Sequence, residues 1–190
     1  MNTVSMMIVG VGGQGTLLAS RVIGDVLLSS GCDVKLSEVH GMSQRGGSVV
    51  TYVRYVEKVY SPVVEEGEAD LILAFEPLEA ARWLPRLKKG GTILTNIHPM
   101  LPMPVITGAM EYPSQLIEKL SNQANVIAFD ALALAEQAGS VKAVNTVLLG
   151  RLSKLMPEFS EELWMTALDK FVKPKFREIN QKAFLLGKNA

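Results

Sequence analysis

The sequence predicts an α/β fold: a three-layer domain with a mostly parallel sheet, helices on both faces and a helical C-terminal region. Three observations carry this. Short apolar runs alternate with helix-spaced segments as far as residue 138, glycines or prolines mark most junctions, and no strand pattern appears after Val144. With 48% hydrophobic and 20% charged side chains, 190 residues suffice for a single domain over residues 1–190, its C-terminal helices starting at about residue 144.

Each element has its own local reason. Residues 5–11, SMMIVGV, form a short apolar run ending in glycines, the pattern of a buried parallel strand. Residues 16–29 put Leu17, Leu18, Val22, Val26 and Leu27 near helical spacing, and Gly31 supplies a stop. Residues 33–40, DVKLSEVH, alternate apolar and polar, so strand, glycine turn, helix and strand read as a crossover unit. Residues 48–56, SVVTYVRYV, are rich in β-branched and aromatic side chains, and residues 59–60 are expected to extend or pair with them. Residues 70–75 read as a buried strand and 76–87 as a helix with Pro77 in its first turn. Gly90 and Gly91 are expected to break the chain before a strand at 92–96, and three prolines make 98–104 a loop. A helix at 113–120, a strand at 125–129 and a helix at 130–138 closed by Gly139 complete the body. Helices at 145–155, 161–172 and 175–186 follow.

Composition excludes several functions. Nineteen basic and nineteen acidic residues balance to a net charge of zero, which argues against a general nucleic-acid or anionic-membrane binder. No apolar run reaches the roughly 20 residues needed to span a bilayer. Residues 1–5 carry no basic stretch ahead of the apolar run, so no signal peptide is expected and the chain reads as cytoplasmic. Cys32 is the single cysteine, whereas a 4Fe–4S cluster takes about four thiolates and a structural zinc site usually two or more. His40 and His98 lie 58 positions apart without companions, so any redox metal this protein works with is expected in another chain. Residues 141–190 hold nine Lys/Arg and five Asp/Glu, leaving ten and fourteen in the body. That basic face suits either plain solvation or docking to an acidic partner.

Two motifs carry the chemistry. Gly10-Val11-Gly12-Gly13-Gln14-Gly15 satisfies G-x-G-x-x-G between a strand and a helix. Glycines there let backbone approach a phosphate, and free N–H groups at the helix start favour an anion. Three readings stay open: a dinucleotide site with Glu38 as its acidic residue, a packing turn that only needs glycine, or contact with an anion or a partner's cofactor pocket. The turn also resembles that of ubiquitin-activating-type adenylyltransferases, but their frequent CxxC zinc site is impossible with one cysteine. The second motif is Glu38-Val39-His40-Gly41-Met42-Ser43-Gln44-Arg45-Gly46-Gly47. Glu38 and His40 share a strand face, and Arg45 offers a forked donor for a carboxylate or phosphate. Met100 and Met103 suit a subunit contact better than a cofactor site.

Together, GVGGQGTLLASRVIG, EVHGMSQRGGSVVTYVR and the NTVLLG that begins at Asn145 resemble the gamma-type domain of 2-oxoacid:ferredoxin oxidoreductases. The HGMSQRGG form looks most like the small (beta) subunit of the indolepyruvate enzymes; related gamma subunits tend to carry a Tyr-Gly-Pro version of that loop. The resemblance implies a small subunit without cofactors of its own. Thiamine diphosphate and 4Fe–4S clusters are expected in a large partner subunit, CoA as co-substrate, and ferredoxin as the electron acceptor of the complex. No G-D-G…N thiamine motif occurs in this chain, and no catalytic residue is assigned to it. Contacts to a ligand, an anion or the partner's pocket are expected from Gly12, Gly13, Gln14, Gly15, Glu38, His40, Ser43, Gln44, Arg45, Gly46, Gly47 and Asn145, with Asn145 capping a helix. Alternatives are a gamma subunit for pyruvate, 2-oxoglutarate or a branched-chain acid, a freestanding NAD-binding reductase, or a pure assembly module. Whether the isolated chain forms a homodimer stays open.

Overall fold

The computed structural model describes residues 3–40, 46–56 and 58–190. The chain runs β1 (Val4–Val11), α1 (Thr16–Ser29), β2 (Asp33–His40), β3 (Ser48–Val56), β4 (Ala69–Ala74), α2 (Pro77–Trp83) and β5 (Leu87–Asn96). It continues with α3 (Met103–Ile106), α4 (Leu116–Ser121), β6 (Asn125–Phe129), α5 (Ala131–Ala138), α6 (Val144–Leu155), α7 (Glu161–Phe171) and α8 (Arg177–Asn189). One six-stranded sheet has the order β2-β3-β1-β4-β5-β6. β1, β4, β5 and β6 are parallel neighbours, and β3 runs antiparallel to both β1 and β2. Five of the six strands therefore point the same way, as the expected α/β architecture requires.

Strand alternation builds the layers. Met6 and Ile8 of β1 face one core with α1 and α5–α8, while Met7 and Val9 face a second core with Ala80 of α2 and Leu120 of α4. All four are at most 1% exposed, each burial worth about 2 kcal/mol. The C-terminal helices share the first core with the sheet: Trp164 of α7 and Phe184 of α8 are fully buried, their ring centroids 6.2 Å apart. α8 crosses α6 at glycines. A Cβ on Gly187 would lie 1.9 Å from the Val147 carbonyl oxygen, and one on Gly150 2.0 Å from that of Phe184.

The crossover from β1 through α1 holds, since β1 and β2 run parallel in one sheet, with β3 inserted between them and β2 at the sheet edge. The structure corrects three local expectations. Val59 and Tyr60 form no strand; the Val59 N–H instead donates to Asp33 at 2.8 Å. Gly90 and Gly91 do not break the chain before the fifth strand. β5 begins at Leu87 and passes through a register shift, with Gly90 at φ 83° absorbing the irregularity. The proline-rich loop contains a short helix, α3, which starts with Pro104 in its first turn.

Candidate functional site

The glycine turn sits at the C-terminal end of β1, between neighbours β3, which runs antiparallel to it, and β4, which runs parallel. Ligands of open α/β sheets gather at such strand ends. A cleft of ≈ 850 Å³ opens there. Gly13, Gln14 and Gly15 line it, together with Asn96 and His98 at the end of β5 and the apolar Met100, Leu101 and Ile106. Lys142 and Asn145 border it from the start of α6.

The turn is braced from within. Gln14 folds back so that its Oε1 accepts the Val11 N–H at 2.7 Å while its Nε2 donates to the Phe75 carbonyl at 3.4 Å. Gly15 is the N-cap of α1 in a left-handed conformation, φ 86°, and supplies no side-chain cap to the helix start. Gly13 has φ 103°, and a Cβ built on it would meet nothing within 4 Å among the described residues. The two motifs are physically joined: the Gly12 N–H donates to the Gly47 carbonyl at 2.9 Å, and the Gly46 N–H to the Gly12 carbonyl at 3.4 Å.

Asn145 reaches the same turn across 130 residues of sequence. It is 5% exposed and its Nδ2 donates to the Gly15 carbonyl at 3.4 Å. The expectation that Asn145 caps a helix needs correction. Ala143 is the N-cap of α6, and Asn145 lies inside the first turn, where its Oδ1 accepts the next residue's N–H, that of Thr146, at 2.9 Å. His98, for which the sequence offers no companion, stands 3.0 Å from Asp130 through Nε2 and Oδ1. Asp130 is the N-cap of α5, and the Ala133 N–H, ahead of His98, holds its carboxyl below the usual range.

Glu38 and His40 lie on the exposed end of edge strand β2. With β3 between them and β1, they are two strand spacings, about 10 Å, from the strand that leads into the turn. A dinucleotide site wants its acidic residue on the strand next to β1, so this geometry does not supply the ribose contact. Ser43, Gln44 and Arg45 lie outside the described residues.

Sequence reasoning missed the carboxylates under the turn. Glu76 is fully buried, caps α2 by accepting the Glu79 N–H, and accepts the Tyr112 hydroxyl at 3.0 Å. Burial pushes its carboxyl up, against the opposing backbone and Tyr112 hydrogen bonds. Glu79, 3% exposed, takes Arg82 at 2.8 Å and the Ser48 hydroxyl, which ties α2 to the strand that follows the second motif. The E-P-L-E spacing is a helix-start signal that points to Glu76 as a cap, but not to its burial. Among the described residues no three His, Cys, Asp or Glu side chains are grouped to hold a metal, and the chain has one cysteine.

Fold and site together define a doubly wound α/β domain that offers a glycine-walled cleft at its strand ends. Residues 5–190 match the pyruvate ferredoxin/flavodoxin oxidoreductase family, and the chain belongs to it. It is 44% identical to the indolepyruvate oxidoreductase subunit IorB of Thermococcus kodakarensis, an alignment covering 100% of this chain and 96% of that one. In fold it matches pyruvate oxidoreductase subunit PORC of Thermotoga maritima, with TM-score 0.76 and 18% identity over 100% of this chain and 97% of that one. It also matches the 2-oxoglutarate:ferredoxin oxidoreductase of Magnetococcus marinus, whose structure carries 2-oxoglutarate, coenzyme A and succinyl-CoA. There the TM-score is 0.75 at 20% identity, covering 100% of this chain and 31% of that one. The resemblance carried by the two glycine motifs thus holds: the chain is a gamma-type domain of this oxidoreductase family.

Proposed function

We propose that this chain is the small subunit of an indolepyruvate:ferredoxin oxidoreductase and works only in complex with a large subunit. The complex converts an arylpyruvate and CoA to an arylacetyl-CoA and CO2 and passes the electrons to ferredoxin. The 44% identity over the whole chain to an indolepyruvate oxidoreductase subunit carries this reading, against 18% to a pyruvate oxidoreductase subunit. Thiamine diphosphate and the 4Fe–4S clusters belong to the large subunit, which fits a chain with one cysteine. Residues 1–190 act as one domain, in the cytoplasm; no helix among the described residues is long and apolar enough to cross a membrane.

In this reading the cleft takes part of CoA. The bare backbone at Gly13 and the start of α1, which has no side-chain cap among the described residues, suit a phosphate, and Lys142 adds a positive charge to the lining. Apolar Leu101 and Ile106 in the cleft's lining suit an uncharged chain. The same reading assigns contact with the large subunit to Ser43, Gln44 and Arg45, which precede Gly46 and Gly47 in the sequence. The exposed Met100 and Met103 belong to the same subunit contact.

Mixing this chain with the large subunit and following viologen reduction tests the reading. Activity with indolepyruvate and CoA should need both chains, and pyruvate and 2-oxoglutarate should be poor substrates. Equal rates for the large subunit alone, or NAD-dependent turnover by this chain alone, would overturn it.

A further inference from the structure

Residues 98–115 join β5 to α4, and His98, Pro99, Met100, Leu101 and Ile106 of this segment line the cleft. Their backbone hydrogen bonds from Val105 to Met110 all return to the segment itself, as in Ile106 to Pro102 and Met110 to Pro104. Among the described residues, two side-chain links tie the segment to the body, one near each end. His98 lies 3.0 Å from Asp130, and the Tyr112 hydroxyl donates to Glu76 at 3.0 Å. Both receiving carboxylates are helix N-caps, so each link ends on a rigid element.

The two ends differ. Beside His98 the sheet continues, because the Ile97 N–H donates to the Phe129 carbonyl at 3.1 Å. Beside Tyr112 no such ladder follows. The segment instead joins α4 at Gln115, whose φ of 57° makes it the one described non-glycine residue with positive φ. That conformation is disfavoured for an L-residue and marks a joint set by its surroundings. Residues 90–110 contain no Asp, Glu, Lys or Arg, so apart from the His98–Asp130 contact no charged side chain of this stretch holds it down. Ile106 lines the cleft yet is 61% exposed, which leaves the wall only lightly packed.

We propose that residues 98–115 are a hinged strap over the cleft, with the Tyr112–Glu76 hydrogen bond as its releasable latch and the His98–Asp130 end as its fixed point. Glu76 and Tyr112 are then positioning residues for the cleft wall. The inference goes beyond the proposed activity, since it holds whatever ligand the cleft takes.

Hydrogen exchange on the full chain tests it. Tyr112→Phe removes the donor and keeps the ring, and should speed exchange of strap amides about tenfold while β1 and α6 keep wild-type rates. Glu76→Gln, which weakens the acceptor, should act in the same place. Should Glu76→Gln fail to fold, Tyr112→Phe still decides. Strap rates within about twofold of wild type in Tyr112→Phe, or equal acceleration through β1 and α6, would overturn the latch.

Discussion

The crossing of α6 and α8 and the turn after β1 both depend on glycine, for opposite reasons. At the crossing, the space a Cβ would occupy is already filled: one built on Gly187 would lie 1.9 Å from the Val147 carbonyl oxygen. At Gly13, which lines the cleft, that space is empty to 4 Å among the described residues. A glycine pressed against backbone serves packing. One with nothing in front of it, held at φ 103° by a braced turn, leaves room for something the chain itself does not supply. The turn contains both kinds, since a Cβ on Gly15 would lie 2.5 Å from Asn145 Nδ2.

Substitutions can break this contrast, and the largest effect belongs to the crossing. Gly187→Ala should force the helices apart and cost roughly 3 kcal/mol or more in urea unfolding, because a carbonyl cannot move aside as a side chain can. A cost under about 1 kcal/mol would show that the crossing tolerates a methyl group. Next comes Gly15→Ala, with a cost of about 2 kcal/mol from left-handed strain plus the clash with Asn145. Adding Asn145→Ala should return the steric part and leave the strain, so the pair should be less than additive in a double-mutant cycle. Additive losses would mean that the two residues do not press on each other. Asn145→Ala alone should cost about 1 kcal/mol through its bonds to the Gly15 carbonyl and the Thr146 N–H.

Local pattern shows what the chain makes next to itself, and only that. β2, β3 and β6 occupy the spans their alternation and β-branching indicate, and α1 ends before Gly31. Strand order is another matter. Leu36 and Val39, on opposite faces of β2, are 42% and 51% exposed because β2 is an edge strand, a consequence of β3 inserting next to β1. The site divides in the same way. The glycine turn was legible from its own six residues, whereas the bonds from Asn145 to Gly15 and from Tyr112 to Glu76 span 130 and 36 positions. No periodicity records contacts at such separation. Gln14 lines the cleft as well, its amide engaged with Val11 and Phe75, and the bond to Phe75 spans 61 positions.

A smaller effect lies in the pH dependence of stability. Burial raises the Glu76 carboxyl above its ordinary value of 4.5, so the folded chain holds that proton more tightly than the unfolded chain does. Its contribution is complete below 4.5 and is lost as pH rises through the raised value. Glu76→Gln should flatten that fall. Tyr112→Phe removes a donor that favours the ionised form, and should carry the fall to higher pH. Unfolding curves collected across this range, with wild-type slopes in both variants, would remove Glu76 as the cause.

Gly13→Ala puts the contrast to its sharpest test. The methyl group meets no neighbour among the described residues, so the folded chain should lose only the strain of a positive φ, about 1 kcal/mol. Its Cβ nevertheless projects where a phosphate of CoA would rest against bare backbone. The decisive measurement is KM for CoA in the complex reconstituted with the large subunit, wild type against Gly13→Ala. A rise of about tenfold or more, with the variant's subunit affinity unchanged, is the result expected if this open glycine serves the ligand. An unchanged KM for CoA would contradict it and leave the turn as packing.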